Sequence, residues 1–193
     1  NITMLKPDSD VKTSGYDIGP GNTLLDLWIY KNIQADFDNE GEWAKSGKLL
    51  PKLLKHLNRD RFVNQLPPKS TGTEYFNLAW LNTAIGDSLD STPAKDIQRT
   101  LTEFTAETIS KSIRMESAAQ ACDVFLCGGG TKNTFLVERV ASLLPEYTIS
   151  TTSDLGIAPQ LVEAAAFAWL ASQTLSGLTG NIKAVTGATK DKG

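Results

Sequence analysis

The sequence predicts an α/β fold, a sheet flanked by helices, on three observations. Residues 123–175 alternate short apolar runs with helical patterns in the order strand, helix, strand, helix. Residues 2–5 and 11–17 read as two further short strands bounded by turn residues. Residues 94–115 place Ile97, Leu101, Phe104, Thr108 and Ile113 near helical spacing, which predicts one long helix.

Taken in order, Ile2, Thr3, Met4 and Leu5 lead into the turn-rich run Lys6, Pro7, Asp8, Ser9 and Asp10. The second strand ends at Gly19-Pro20-Gly21, and Asn22 is placed to cap a helix with Leu24, Leu25, Leu27, Trp28 and Ile29 on a broad apolar face. An acidic loop over 36–40 precedes a helix from about Glu42, which Pro51 kinks or restarts before Leu53, Leu54 and Leu57. Residues 58–72 read as irregular, and a helix is expected over 74–85. In the second half, a strand over 123–127 runs into a glycine loop over 128–133. A helix over 134–144 then stops at Pro145. A strand over 147–151, a loop over 152–159 and an Ala-rich helix over 160–175 follow. Ile97, Leu101, Phe104, Leu126, Phe135, Leu136, Phe167 and Trp169 are expected to form a two-layer core. Residues 176–193 are rich in Gly, Thr and Lys without periodicity, so they need a partner surface or are disordered.

At 193 residues the chain is the size of one large domain and needs no disulfide scaffold, since a domain this long buries roughly 70% of its unfolded surface. A net charge of −3 without a basic stripe excludes an electrostatic nucleic-acid footprint. The longest wholly apolar stretch, residues 164–171, is far short of a membrane span. Two cysteines, Cys122 and Cys127, are expected as free thiols in a reducing compartment, and the chain is read as cytoplasmic. His56 is the sole histidine and no cysteine pair has metal-ligand spacing, so no metal site is expected.

Four places could carry chemistry. Asp17 ends a strand and is followed by Gly19, Pro20, Gly21 and Asn22. A carboxylate there sits outside the carboxyl edge of a sheet, and the next helix aims its first N–H groups at the same spot. The same residues also fit a plain strand–turn–helix corner with Asp17 as a turn residue. Gly128, Gly129 and Gly130, with Asn133 after them, separate a strand from a helix. Three glycines cost chain entropy unless something lies against the backbone, such as a nucleotide, although a tight packing turn fits as well. Residues 67–77 mix rigid prolines with the donors and acceptors Lys69, Ser70, Thr71, Glu74 and Asn77, a mixture suited to hydroxyl-rich ligands or to a capped loop–helix junction. Glu163 lies in the first turn of the Ala-rich helix, where the helix dipole favours a carboxylate whether or not it has a role.

Together and in this order, these motifs resemble the anhydro-N-acetylmuramic acid kinase family of the sugar kinase, Hsp70 and actin superfamily. The resemblance is carried by Tyr16-Asp17, Gly19-Pro20-Gly21-Asn22, Asp26 and Trp28; by Pro67, Lys69-Ser70-Thr71-Gly72 and Glu74-Tyr75-Phe76-Asn77; and by Leu101-Thr102-Glu103-Phe104-Thr105-Ala106. It continues through Cys127-Gly128-Gly129-Gly130 and Asn133, Glu163-Ala164, Ala166-Phe167-Ala168-Trp169-Leu170-Ala171, Gly180-Asn181 and Val185-Thr186-Gly187-Ala188. Two positions depart from that pattern: Ile18 stands where the family has Thr, and Thr73 where it has Arg.

The resemblance implies the C-terminal lobe of an actin-like ATPase, or ribonuclease H-like, fold. Residues 1–175 would be its α/β core and 176–193 a tail packing on an N-terminal lobe or disordered. Asn1, rather than Met, followed at once by a strand is read as a start partway through such a fold, the phosphate loop lying in the other lobe. It further implies a kinase that uses ATP and Mg²⁺ to open and phosphorylate an anhydro-amino sugar. Asp17 would be the general base and Glu163 a second carboxylate across the site. Gly19, Pro20, Gly21, Asn22, Lys69, Ser70, Thr71 and Glu74 would face the sugar, and Gly128, Gly129, Gly130 and Asn133 the nucleotide. A homodimer of the full-length protein is expected, with neither nucleic acid nor membrane as partner. An ATP-independent anhydro-sugar hydrolase and a non-catalytic sugar-binding or dimerisation module are the alternatives.

Overall fold

A computed structural model of the chain describes residues 1–6, 13–86, 92–186 and 188. The architecture is mixed α/β, with small sheets flanked by helices. Strands β1 (Ile2–Leu5) and β2 (Thr13–Tyr16) pair antiparallel, Ile2 opposite Tyr16 and Leu5 opposite Thr13. Strands β3 (Asp123–Leu126) and β4 (Thr148–Thr151) pair in parallel, as the helix between them demands. The turn expected over 6–10 and the start of the second strand, Val11 and Lys12, lie mostly outside the described residues.

The helices are α1 (Thr23–Ile33), α2 (Glu42–Lys45), α3 (Pro51–Leu57), α4 (Arg61–Asn64), α5 (Leu78–Ile85), α6 (Ala94–Glu116), α7 (Thr134–Leu143), α8 (Val162–Leu175) and α9 (Lys183–Thr186). Pro51 opens a new helix, because a missing N–H costs nothing in a first turn. Helix α5 starts four residues later than expected. Asn77 caps it by accepting from the Trp80 N–H at 2.9 Å, and residues 72–77 form turns instead. Helix α4 interrupts a stretch expected to be irregular. Its Asp60 cap accepts from the Val63 N–H at 3.1 Å through Oδ1, and through Oδ2 from the Tyr75 hydroxyl at 2.9 Å and the Trp80 indole at 3.2 Å.

Helix α6 is the spine. Its Ile97, Leu101 and Phe104 join Leu24, Leu25 and Trp28 of α1, Leu54 and Leu57 of α3, Phe62 and Val63 of α4, and Phe76, Leu81 and Ile85 in one apolar core. Its Ala106 and Ile113 join Leu136 and Val140 of α7, Leu144 and Tyr147 in a second, against which Ile2, Val124 and Ile149 of the strands pack. With neighbours on several sides, α6 also buries polar groups. Thr100, Thr102 and Thr108 satisfy their hydroxyls by donating to the carbonyl four residues back.

Two core expectations are corrected. Phe167 and Trp169 are 70% and 52% exposed rather than core. Leu126 is half-buried rather than core, since β3 belongs to a two-stranded sheet. Val185 of α9 lies against β2, its Cγ1 3.4 Å from where a side chain on Gly15 would begin. Gly187 and residues 189–193 lie outside the described residues. Cys122 and Cys127 are free, Cys127 exposed. Among the described residues no helix is long and apolar enough to cross a membrane.

Candidate active site

The end of β2 carries Asp17 directly onto the segment 67–71. The Asp17 N–H donates to the Lys69 carbonyl at 3.3 Å. In return the Ser70 hydroxyl and the Thr71 N–H donate to Asp17 Oδ2 at 2.8 and 3.0 Å. Among the described residues, Oδ1 takes no hydrogen bond. One carboxylate oxygen is therefore clamped by two donors while the other stays open, and the group is half-buried. Such an arrangement fixes the direction of the free lone pairs, as a proton acceptor requires.

The turn after Asp17 is packed rather than loose. Ile18 is buried, which explains an apolar residue there. A side-chain carbon on Gly19 would meet Thr108 Cγ2 of α6 at 2.8 Å, so this glycine lets the turn approach the spine closely. The Thr105 hydroxyl donates to the Gly21 carbonyl at 3.1 Å, a second tie to α6. Asn22 occupies the cap position of α1 without a side-chain capping bond. Its amide lies instead against Gly130, 3.3–3.4 Å from where a side chain there would begin, so the Asp17 turn and the glycine loop are neighbours.

Gly128 adopts φ +83°, a conformation open to glycine at little cost, and a side chain on Gly128 or Gly129 would meet nothing within 4 Å. The loop thus presents bare backbone to open space. It is fixed from behind by the Gly128 N–H donating to the Pro159 carbonyl at 2.9 Å and by the Asn133 cap, whose Oδ1 accepts from the Leu136 N–H at 2.9 Å. Asn133 is 7% exposed and in contact with Gly41, so its side chain serves the helix cap.

The Pro159 bond sets the start of α8 beside the glycine loop, and Glu163 stands in its first turn. Glu163 is exposed and takes no hydrogen bond or ion pair among the described residues. The rim therefore runs from 67–71 through Asp17 and Asn22 to Gly130, and on through Pro159 to Glu163.

Two residues expected on the sugar side behave otherwise. The Glu74 carboxylate folds back to accept from the Gly72 N–H at 3.0 Å, closing its own loop. The Lys69 ammonium points into the protein. At 8% exposure it donates to the Phe62 and Val63 carbonyls at 3.0 and 3.2 Å, over the Phe62 ring at 4.8 Å. Burial pulls its pKa below the ordinary 10.5, the nearby Lys111 charge adds to that, and Asp60 opposes it.

Asp26, one turn along α1 from Asn22, has its pKa raised to about 6 by burial and by the negative charge of Asp38. Since its ordinary value is 3.8, stability is full below that pH and is lost as pH rises through about 6. Asp26→Asn is accordingly expected to stabilise the chain at pH 7.5 by about 1 kcal/mol, the gain vanishing near pH 4. Thermal denaturation at the two pH values checks this, and an equal gain at both would contradict it. Among the described residues no group of three or more His, Cys, Asp or Glu could hold a metal ion.

Residues 1–192 match the family model described as anhydro-N-acetylmuramic acid kinase. Proteins of that name are similar in sequence. The one from Legionella pneumophila (strain Corby) is 46% identical over 188 residues, covering 97% of this chain and 50% of the relative. Those from Coxiella burnetii (strain RSA 493 / Nine Mile phase I) and Vibrio cholerae serotype O1 (strain ATCC 39315 / El Tor Inaba N16961) are 44% and 43% identical over 191 residues, each covering 98% of this chain and 50% of the relative. The chain spans about half the length of these curated relatives.

Proposed function

The chain belongs to the anhydro-N-acetylmuramic acid kinase family, and from that premise we propose that it supplies the base-bearing half of an ATP-dependent kinase acting on the anhydro sugar. The observation that carries this reading is the Asp17 carboxylate, clamped at Oδ2 by Ser70 and Thr71 with Oδ1 free. In the proposed reaction Oδ1 takes a proton from a water that adds to the anomeric carbon. The bond from that carbon to the ring-bridging 6-oxygen breaks, and the 6-oxygen takes the γ-phosphoryl group of ATP, leaving ADP. The product is N-acetylmuramic acid 6-phosphate.

Around that step, Gly128 and Gly129 offer the nucleotide an open backbone face, and Asn22 ties this face to the Asp17 turn. Glu163, free at the start of α8, is the second carboxylate of the proposal. Mg²⁺ would enter with the nucleotide phosphates; the described residues offer it no ligand cluster of their own. The C-terminal-lobe assignment within an actin-like fold, the cytoplasmic setting and the homodimer belong to the same proposal.

Phosphoryl transfer is almost wholly positioning and charge stabilisation of the phosphates. This chain alone, with ATP, Mg²⁺ and anhydro-N-acetylmuramic acid, is therefore expected to form no phosphosugar. The full-length protein is expected to form it strictly with ATP. Ring opening by the full-length protein without ATP would overturn the kinase reading in favour of a hydrolase.

A further inference from the structure

We propose that Lys69 is a positioning residue for Asp17: its buried ammonium anchors the segment whose next two residues clamp the carboxylate, and it does not touch ligand. The inference rests on the reading of Asp17 as the base only for its effect on turnover.

Lysine is among the side chains least often fully buried, because its desolvated charge needs compensation. Lys69 is nonetheless 8% exposed, with no carboxylate in salt-bridge contact among the described residues. Its direct hydrogen-bond partners are neutral, with the Asp60 charge acting on it from further off. Two donors reach the Phe62 and Val63 carbonyls in the last turn of α4, and the Phe62 and Tyr16 rings lie 4.8 and 5.8 Å from the ammonium. An ammonium engaged in this way has no open approach for a sugar hydroxyl. What it does instead is pin residue 69 to α4.

That pin acts on Asp17 through three adjacent backbone and side-chain groups. The Lys69 carbonyl receives the Asp17 N–H at 3.3 Å, the Ser70 hydroxyl reaches Oδ2 at 2.8 Å, and the Thr71 N–H reaches Oδ2 at 3.0 Å. Ser70 is exposed and Thr71 half-buried, so neither is held by packing of its own side chain into the core. The fixed point of this segment is Lys69. Without it the two donors have no reason to stay on one oxygen, and the direction of Oδ1 is lost with them.

The test has two arms. In this chain, Lys69→Met should lower hydrogen-exchange protection of the Asp17 and Thr71 amides by about tenfold or more, while the α6 amides of Leu101 and Phe104 keep theirs. In the full-length kinase, Lys69→Met should lower kcat by about 100-fold, with KM for sugar and for ATP changed by less than about threefold. Adding Lys69→Met to Ser70→Ala should cost less than the two changes multiplied, because both act on the same clamp. Should Lys69→Met unfold the chain, Lys69→Gln, which keeps an amide donor for the carbonyls, is read by the same measurements. A raised sugar KM at unchanged kcat would make Lys69 a ligand contact and overturn the proposal, as would unchanged protection at Asp17 and Thr71. A wild-type enzyme without ATP-dependent phosphorylation would overturn the functional reading instead, and the exchange arm would still decide the anchoring.

Discussion

Asp17→Asn in the full-length enzyme abolishes turnover, by at least about 1000-fold in kcat, while ATP binding stays within about twofold of wild type. The amide is nearly the same size, and its oxygen can still accept from Ser70 and Thr71, so the clamp and the fold persist. What disappears is the acceptor proposed to take a proton from water. The proposed nucleotide face at Gly128 and Gly129 meets the Asp17 turn through the Asn22–Gly130 contact, which the substitution leaves intact. Glu163→Gln is expected to slow turnover less, since Glu163 stands unclamped in solvent at the start of α8. Steady-state kinetics with calorimetric ATP binding checks both. Near-wild-type kcat for Asp17→Asn removes it from the mechanism, and a larger loss for Glu163→Gln exchanges the two roles.

The largest effect on stability is expected at Glu103. Its carboxylate is buried on α6 and receives Arg99 at 2.7 Å and Arg139 of α7 at 2.9 Å through both oxygens. Burial alone would raise its pKa, but the hydrogen bonds and charges of the two arginines outweigh that and hold it below the ordinary 4.5. Glu103→Ala leaves two guanidinium groups, with side chains 14% and 30% exposed, without their directly bonded carboxylate, and only the Glu107 charge still acts on Arg139. The expected cost is about 3–5 kcal/mol at pH 7. Because the folded pKa is depressed, the stabilisation is complete above pH 4.5 and is lost as pH falls through the folded value. The difference between wild type and variant should therefore shrink in acid. Urea denaturation at pH 7 and pH 3 measures it, and a cost below about 1 kcal/mol at pH 7 would mean that the arginines find other partners or water.

The parts legible in the sequence were those set by local periodicity. Helix α6 begins at Ala94, the expected residue, and ends one residue beyond the expected 115, because a 23-residue apolar recurrence needs no tertiary information. Strand β1 and the parallel pair β3–β4 fall within a residue of their expected bounds. Helix α4 was hidden because four residues are too few for a period, and only the Asp60 side chain marks its start. Nothing in the sequence marked Glu103 as an ion-pair hub, since Arg139 lies 36 positions away. The aromatic content of α8 signalled burial, yet burial depends on a covering surface that the described residues do not provide. Lys69 shows the same limit at the site. Its place in a polar loop suggested ligand contact, and only the fold reveals the α4 carbonyls waiting for its ammonium.

Helix α6 has one more consequence, for cooperativity. At 1.5 Å per residue its 23 residues run for about 35 Å, and the two apolar cores divide it near Phe104 and Ala106. No loop separates the cores along this helix, so melting one exposes half of a rod whose other half is still clamped. The intact half templates re-formation of the melted one, because adding turns to an existing helix avoids the costly nucleus. Between these two halves α6 itself runs unbroken. Thr105 strengthens the point: where the cores meet, its hydroxyl bonds the Gly21 carbonyl and ties the junction to the turn after Asp17.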